Sequence, residues 1–396
     1  MGETTAGLIE QLPGRFLAHK YDLPRTTFRL KVGRTIRDVV VEDGTCEVRR
    51  AAGDADAEII TDPVTWRAMD RGRMSGVEAF ALRRLSVRGS IEKSLWFEPI
   101  FERRSGGGFR YEIQRVSLGG TELEVLSGGD EENPPLVLIH GLAATKASWL
   151  PVVPALAKNH KVYAIDLPGF GASSKPWGRY DAEFFAEHVL RFLEVTGLRR
   201  AYIAGNSMGG RVAMEAALLE PERVAAIACL CPAAAWRRRP ALQLVKLLRP
   251  EWGISIFKLP RQTLRENLMQ LFADPTRIED DWYDAAIDDF LNYWRSPWAR
   301  LAVFSAARNI YLDEPDGDDG FWSRLKKMKP PALYIYGSKD VLVTARFGRM
   351  VSKSLPSANV EVWPDCGHVP QLEHPDRTAK TMLDFFSKVG RAARAG

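Results

Sequence analysis

The chain has 396 residues, 45% of them hydrophobic and 27% charged, with 55 basic against 50 acidic side chains and a formal net charge of +5. This composition excludes disordered and fibrous proteins, and so slight a basic excess on a large surface gives no electrostatic case for a nucleic-acid partner. The length predicts two domains. Residues 1–10 hold no apolar core, and no apolar run is long enough to span a bilayer, which predicts a cytoplasmic protein.

In chain order, Phe28, Leu30 and Val32 alternate with Arg29 and Lys31, the pattern of a half-buried strand, and 39–41 and 46–48 read as further strands across Gly-containing turns. Asp62-Pro63 offers an N-cap followed by proline at the first helical position, which predicts a helix through Trp66 and Met69. The expectation is a small α+β domain over 1–105 with an antiparallel sheet. Ser105-Gly106-Gly107-Gly108 reads as a linker, placing the boundary there. The four cysteines, Cys46, Cys229, Cys231 and Cys366, show neither a disulfide rhythm nor a paired metal-ligand spacing.

Within the first part, Phe28-Arg29-Leu30, Asp43-Gly44, Ala55 to Ile60, Trp66, Arg71-Gly72-Arg73-Met74, Glu78-Ala79-Phe80 and Leu85-Ser86-Val87-Arg88-Gly89 resemble the sterol-carrier-protein type 2 lipid-binding domain. The resemblance covers about 15–104 and rests on core and turn residues. It implies an apolar tunnel for an acyl chain or a sterol.

The second part, 106–396, opens with a hairpin, 111–116 and 122–126 flanking Gly119-Gly120. Short continuous apolar runs follow at 136–139, 162–165, 201–204, 227–230 and 332–336, with helical stretches between several of them, as buried parallel strands require. The alternation breaks between about 232 and 325, a segment with six of the eleven tryptophans that reads as an inserted cap. Its Trp236, Trp252, Trp282, Trp294, Trp298 and Trp322, with Phe257, Phe272 and Phe290, either line an acyl pocket or pack the cap on the core. Arg237-Arg238-Arg239 reads either as a site for a lipid headgroup, carboxylate or phosphate, or as a solvated turn.

Gly205-Asn206-Ser207-Met208-Gly209 matches G-x-S-x-G after an apolar run and before an alanine-rich helical stretch, the strand, sharp turn and helix of a nucleophile elbow. A serine hydroxyl needs an imidazole to take its proton and a carboxylate to hold that imidazole's tautomer. His368, in the loop after the apolar run 360–363, is the expected base, with His374 the alternative at the start of the last helix. Asp340, just after the run 332–336, is the expected acid; Asp365 reads as a turn residue, and 313–319 as a solvated acidic loop with calcium binding as the alternative.

His140-Gly141, Asp166 to Gly171, Gly205 to Gly210, Asp340 and Gly367-His368, in this order, resemble the α/β-hydrolase superfamily over roughly 110–390. The resemblance implies an α/β-hydrolase fold with a helical cap, and an oxyanion hole from the backbone N–H groups of Leu142 and Met208. Gly205 to Gly210 and the segment from Gly367-His368 through Gln371, Glu373 and His374 also resemble the carbon–carbon-bond hydrolases of aromatic ring cleavage. That subgroup's glycine-rich oxyanion stretch is replaced by Leu142-Ala143-Ala144. The expected function is hydrolysis of a lipophilic carboxylic ester through an acyl-enzyme, without metal or organic cofactor, and the slight basic excess permits peripheral membrane contact. Carbon–carbon hydrolysis and lipid binding with an inactive site are the alternatives.

Overall fold

The alternation at 28–32 becomes strand β1 (Thr26–Val32), with Phe28, Leu30 and Val32 buried on one face and Arg29 and Lys31 on the other. There Arg29 pairs with the buried Asp38 at 2.8 Å and Lys31 with Glu58 at 2.7 Å. With β2 (Thr35–Glu42), β3 (Thr45–Arg49), β4 (Ala57–Thr61) and β5 (Leu85–Gly89) it forms a sheet of order β3-β2-β1-β4-β5. The expectation of an antiparallel sheet is corrected at one pair: β4 runs parallel to β1. The β2–β3 hairpin occupies one side of β1, so the chain returns along 50–56 to the other side and re-enters in the same direction, which residue alternation does not encode.

Asp62 caps the helix Pro63–Asp70, its Oδ1 accepting from the N–H groups of Val64 and Thr65. Such a cap is worth about 1 kcal/mol. The glycines read as a linker do a different job. A Cβ on Gly106 would lie 2.1 Å from the Arg71 carbonyl oxygen, and Gly108 N–H donates to the Gly72 carbonyl at 3.0 Å, so two backbones cross with no room for side chains.

The computed structural model describes residues 4–18, 23–102, 104, 106–234, 245, 247, 249–254 and 259–395. Two units emerge: Met1–Ile113 with Ile278–Leu291, and Gln114–Arg277 with Asn292–Gly396. Ile278–Leu291 falls within the stretch read as a cap and groups with the first unit.

The apolar runs of the second part become the buried strands β8 (Pro135–Ile139), β9 (Lys161–Ile165), β10 (Ala201–Asn206), β11 (Val224–Leu230) and β12 (Ala332–Gly337). The hairpin strands β6 (Tyr111–Ser117) and β7 (Glu122–Gly128) precede them and β13 (Asn359–Trp363) follows, in the order β13-β12-β11-β10-β8-β9-β7-β6. The pairs from β13 through to β9 are parallel, and β7 runs antiparallel to β9. Chain order reverses at β8, which has β9 on one side and β10 on the other. Loops leaving the carboxyl ends of β8 and β10 diverge there, and such a switch point leaves a crevice open to a ligand.

Candidate active site

Strand β10 delivers Ser207 into a sharp turn before the helix Met208–Leu219, with φ 53° and ψ −113° at the serine. A non-glycine residue held there costs about 1–3 kcal/mol. The neighbouring glycines make the turn possible. A Cβ on Gly205 would stand 2.1 Å from the Gly209 carbonyl oxygen, and one on Gly209 would stand 2.2 Å from that of Ile139. Ser207 N–H is tied to the Leu230 carbonyl at 2.8 Å, which fixes the turn to β11. The helix Met208–Leu219 begins at the serine, so its first N–H groups, which lack intrahelical acceptors, place partial positive charge beside the hydroxyl.

Two sequence-predicted residues far apart in the chain meet directly. His368 Nδ1 lies 2.7 Å from Asp340 Oδ2, both side chains buried. The second carboxylate oxygen accepts from the N–H groups of Leu342 and Val343 at 2.7 and 2.8 Å. With Nδ1–H donated to Asp340, the imidazole carries its free lone pair on Nε2, the form able to accept a proton.

The histidine loop is pinned from several sides. His368 N–H donates to the Leu271 carbonyl at 2.6 Å, and Gly367 N–H donates to the buried Glu373 carboxylate at 2.7 Å. Asn206, the residue before the serine, donates through Nδ2 to the carbonyls of both Leu230 and His368, at 3.1 and 3.0 Å. Serine turn and histidine loop thus share one amide. The sequence marks Asn206 only as a variable position of the motif and Glu373 only as part of a resemblance: Asn206 meets His368 across 162 residues, and Glu373, besides its local bond to Gly367, accepts from Asp274 N–H across 99.

The loop after β8 comes against the same turn: a Cβ on Gly141 would sit 3.4 Å from Ser207 Cβ, so Leu142 follows a residue in contact with the serine. His140 is structural. Its Nδ1–H donates to the Gly141 carbonyl at 2.7 Å and its Nε2 accepts from Leu167 N–H at 3.0 Å, which fixes a neutral tautomer. Complete burial pushes its pKa down, against an opposing pull from Asp166. Beneath this loop lies an ionic cluster the sequence did not reveal: Lys146, fully buried, reaches Asp166 and Glu124, each at 2.9 Å. Lys146 N–H and Ala172 N–H complete the hold on Asp166.

The alternatives lie elsewhere. Arg277 donates to His374 Nε2 at 2.8 Å, and Asp365 faces Arg277 and Arg377 at 3.7 and 3.5 Å. The solvated-loop reading of 313–319 is corrected at its first residue, because Asp313 pairs with the buried Arg211 at 2.7 Å, and Arg211 in turn holds Glu215 at 2.6 Å. Of the aromatic residues in 232–325, Trp294, Trp322 and Phe272 are buried, Trp282 and Phe290 half-buried, and Trp252 and Trp298 exposed. Trp294 packs on Phe304 and Trp322 on Phe347. Trp236, Phe257 and Arg237 to Arg239 lie outside the described residues.

Cys231 Sγ, a carboxylate oxygen of Asp340 and a ring nitrogen of His368 lie within 4.8 Å of one another, a set with metal-ligating atom types. Burial foremost, then Asp340, pushes the Cys231 thiol well above its ordinary range, which keeps it protonated and a poor ligand. No helix among the described residues is long and apolar enough to cross a membrane.

Residues 134–375 match the family model described as alpha/beta hydrolase fold. Among curated proteins, the chain is 32% identical over 276 residues to the dihydrolipoyllysine-residue acetyltransferase component of the acetoin cleaving system of Pseudomonas putida, covering 69% of each chain. It is 27% identical over 268 residues to the 2-hydroxymuconate semialdehyde hydrolase of Pseudomonas sp. strain CF600, covering 65% of this chain and 89% of that one. Among solved structures, a membrane phospholipase A described as a bacterial virulence factor superposes with a TM-score of 0.59 at 29% identity, over 70% of this chain and 86% of that chain.

Proposed function

The chain belongs to the alpha/beta hydrolase family, and from that premise we propose that it cleaves a lipophilic carboxylic ester through a covalent acyl-enzyme on Ser207. The observation that carries the reading is the buried His368–Asp340 pair at 2.7 Å, held by Asn206 to the strained turn that presents the serine.

Ser207 Oγ attacks the ester carbonyl carbon as His368 Nε2 takes its proton. The negative charge that develops on the carbonyl oxygen is met by the N–H groups of Leu142 and Met208. A single donor of this kind is worth about 3–4 kcal/mol in other hydrolases. Asp340 holds Nδ1–H and stabilises the imidazolium. Collapse of the tetrahedral adduct breaks the bond to the alcohol oxygen, which receives the proton from Nε2. Water then repeats the sequence on the acyl-serine and releases the acid.

The likeness to the phospholipase supports a lipophilic substrate. The first unit, through its resemblance to the sterol-carrier-protein type 2 domain, is read as holding apolar molecules for this site, which raises their effective concentration without new contacts at Ser207. A second reading is favoured by the likeness to 2-hydroxymuconate semialdehyde hydrolase: the same three side chains would act on a carbon–carbon bond.

Turnover of p-nitrophenyl esters of graded acyl length, set beside a vinylogous diketone acid of the ring-cleavage type, tests the proposal. Faster cleavage of the longer esters is expected. Turnover of the diketone acid alone would overturn the ester reading in favour of carbon–carbon hydrolysis.

A further inference from the structure

Of the described tryptophans only Trp177, Trp252 and Trp298 are exposed, at 79%, 47% and 52%, and all three rim one helix, Pro297–Leu312. Trp298 lies in its first turn. Trp252 precedes Gly253, whose carbonyl accepts from Arg300 Nε at 2.6 Å and where a Cβ would lie 2.6 Å from Leu301 N. Trp177 is two residues before Arg179, whose carbonyl accepts from Ser305 Oγ at 2.8 Å and from Asn309 Nδ2. Exposed to this degree, Trp252 and Trp298 neither pack the core nor line an enclosed pocket. Scattered exposed apolar side chains are ordinary, but three indoles around one helix form a patch.

Each indole has a cation beside it in the chain. An exposed arginine lies within three residues of every one: Arg179 after Trp177, Arg249 before Trp252 and Arg295 before Trp298. Arg179 pairs with Asp181 and Glu183 at 3.3 Å, and among the described residues no carboxylate pairs with Arg249 or Arg295. Residues 236–265, which supply Arg249 and Trp252, hold eight basic side chains and one acidic, a larger excess than the +5 of the whole chain. At a bilayer surface an indole settles its ring at headgroup depth while an arginine meets phosphates, so this pairing fits an anionic phospholipid surface. A protein interface is built differently, with a dry centre depleted in charge. A second copy of the chain would bring the same basic charge against this one.

We propose that the rim of the helix Pro297–Leu312 docks the protein on an anionic phospholipid surface without crossing it. The proposal deepens the reading of the substrate as a lipophilic ester and rests on it for the purpose of docking, since such molecules collect in bilayers. The same helix leads inward to the active site: a Cβ on Gly169 would meet Ala302 Cβ at 2.6 Å, and the next residue, Phe170, packs edge-on against His140 at 5.4 Å, where the oxyanion loop begins. Docking by this rim sets the lipid surface against the helix that backs that loop.

The test is co-sedimentation of the full chain with vesicles of phosphatidylcholine alone and of equimolar phosphatidylcholine and phosphatidylglycerol, with turnover of p-nitrophenyl butyrate measured on the same preparation without lipid. Binding to the anionic vesicles is expected to exceed binding to the neutral ones by on the order of tenfold or more, and to fall in about 1 M NaCl, where the screening length is about 3 Å. The double variant Trp252→Ala, Trp298→Ala is expected to bind about tenfold more weakly while keeping turnover of the soluble ester. Val362→Ala, at an exposed apolar residue of β13, is expected to change neither. Should the double variant fail to fold, quenching of tryptophan fluorescence by brominated acyl chains reads the same contact in the unaltered chain. Binding to neither vesicle, equal binding by the double variant, or no quenching would overturn the docking surface, as would self-association of the unaltered chain that the double variant loses. Vesicle binding without ester turnover would uphold docking and remove the ester reading.

Discussion

His368 Nδ1 meets Asp340 Oδ2 at 2.7 Å, while the same carboxylate's other oxygen is occupied by two backbone N–H groups. The carboxylate therefore has one oxygen for the imidazole and cannot swing away from it, and the ring's tautomer follows from that constraint. Asp340→Asn keeps the shape and offers an amide in place of the acceptor. In the proposed mechanism this favours the wrong tautomer, and kcat is expected to fall on the order of 10⁴-fold with little change in KM. Steady-state kinetics on one ester checks it; a fall of less than about tenfold would contradict the assignment.

Lys146 compensates two buried carboxylates beneath the loop that carries Leu142. Lys146→Met leaves Glu124 and Asp166 buried without it. The expected loss is about 3–5 kcal/mol of unfolding free energy, the usual result of removing one partner from a buried ionic cluster. Because the loop would shift, kcat should fall more than KM rises. Urea unfolding and kinetics on the same preparation read both.

The glycines of the serine turn are not equivalent. A Cβ on Gly205 or Gly209 meets backbone atoms at 2.1–2.2 Å, whereas one on Gly210 first meets the Pro232 side chain at 2.9 Å. Gly205→Ala and Gly209→Ala are expected to abolish activity and to lower stability by about 3 kcal/mol or more, and Gly210→Ala to do distinctly less damage. Thermal unfolding and turnover of the three variants establish the ranking.

Acid stability has a named source. His160, buried between Tyr202 and Phe386, is pushed down to about 4 by desolvation. Its folded value lies below its unfolded one, near 6.5. The unfolded chain therefore binds the extra proton first, and stability falls as pH drops from about 6.5 towards about 4. His140, lowered by burial, acts in the same direction. His160→Phe, which keeps the aromatic packing, should flatten part of this dependence by about 1–3 kcal/mol. Unfolding midpoints between pH 4 and 7 test the slope; a variant with the unaltered chain's profile would contradict the source.

What could be read in advance was local or ordered along the chain. Gly205 to Gly209 announced the turn because each glycine answers a backbone collision within a few residues or at the neighbouring strand end. Asp340 and His368, each singled out by its position after a strand-forming run, lie side by side in the structure. The meetings across long separations had no such signal: Lys146 with Glu124, Arg211 with Asp313, Asn206 with the His368 carbonyl. Parallel pairing of β1 with β4 was missed for the same reason, since residue alternation is identical in either direction. Gly106 and Gly108 pack closely against 71–74, which a linker-like composition does not reveal, because composition alone does not separate close packing from flexibility.

Ser207 is proposed as an activated nucleophile, and reaction with a fluorophosphonate probe followed by peptide mass spectrometry reads that property directly. One phosphonyl adduct per chain is expected, on Ser207, lost in Ser207→Ala and strongly slowed in His368→Ala. No adduct on a folded chain, or an adduct on another residue that survives Ser207→Ala, would contradict it.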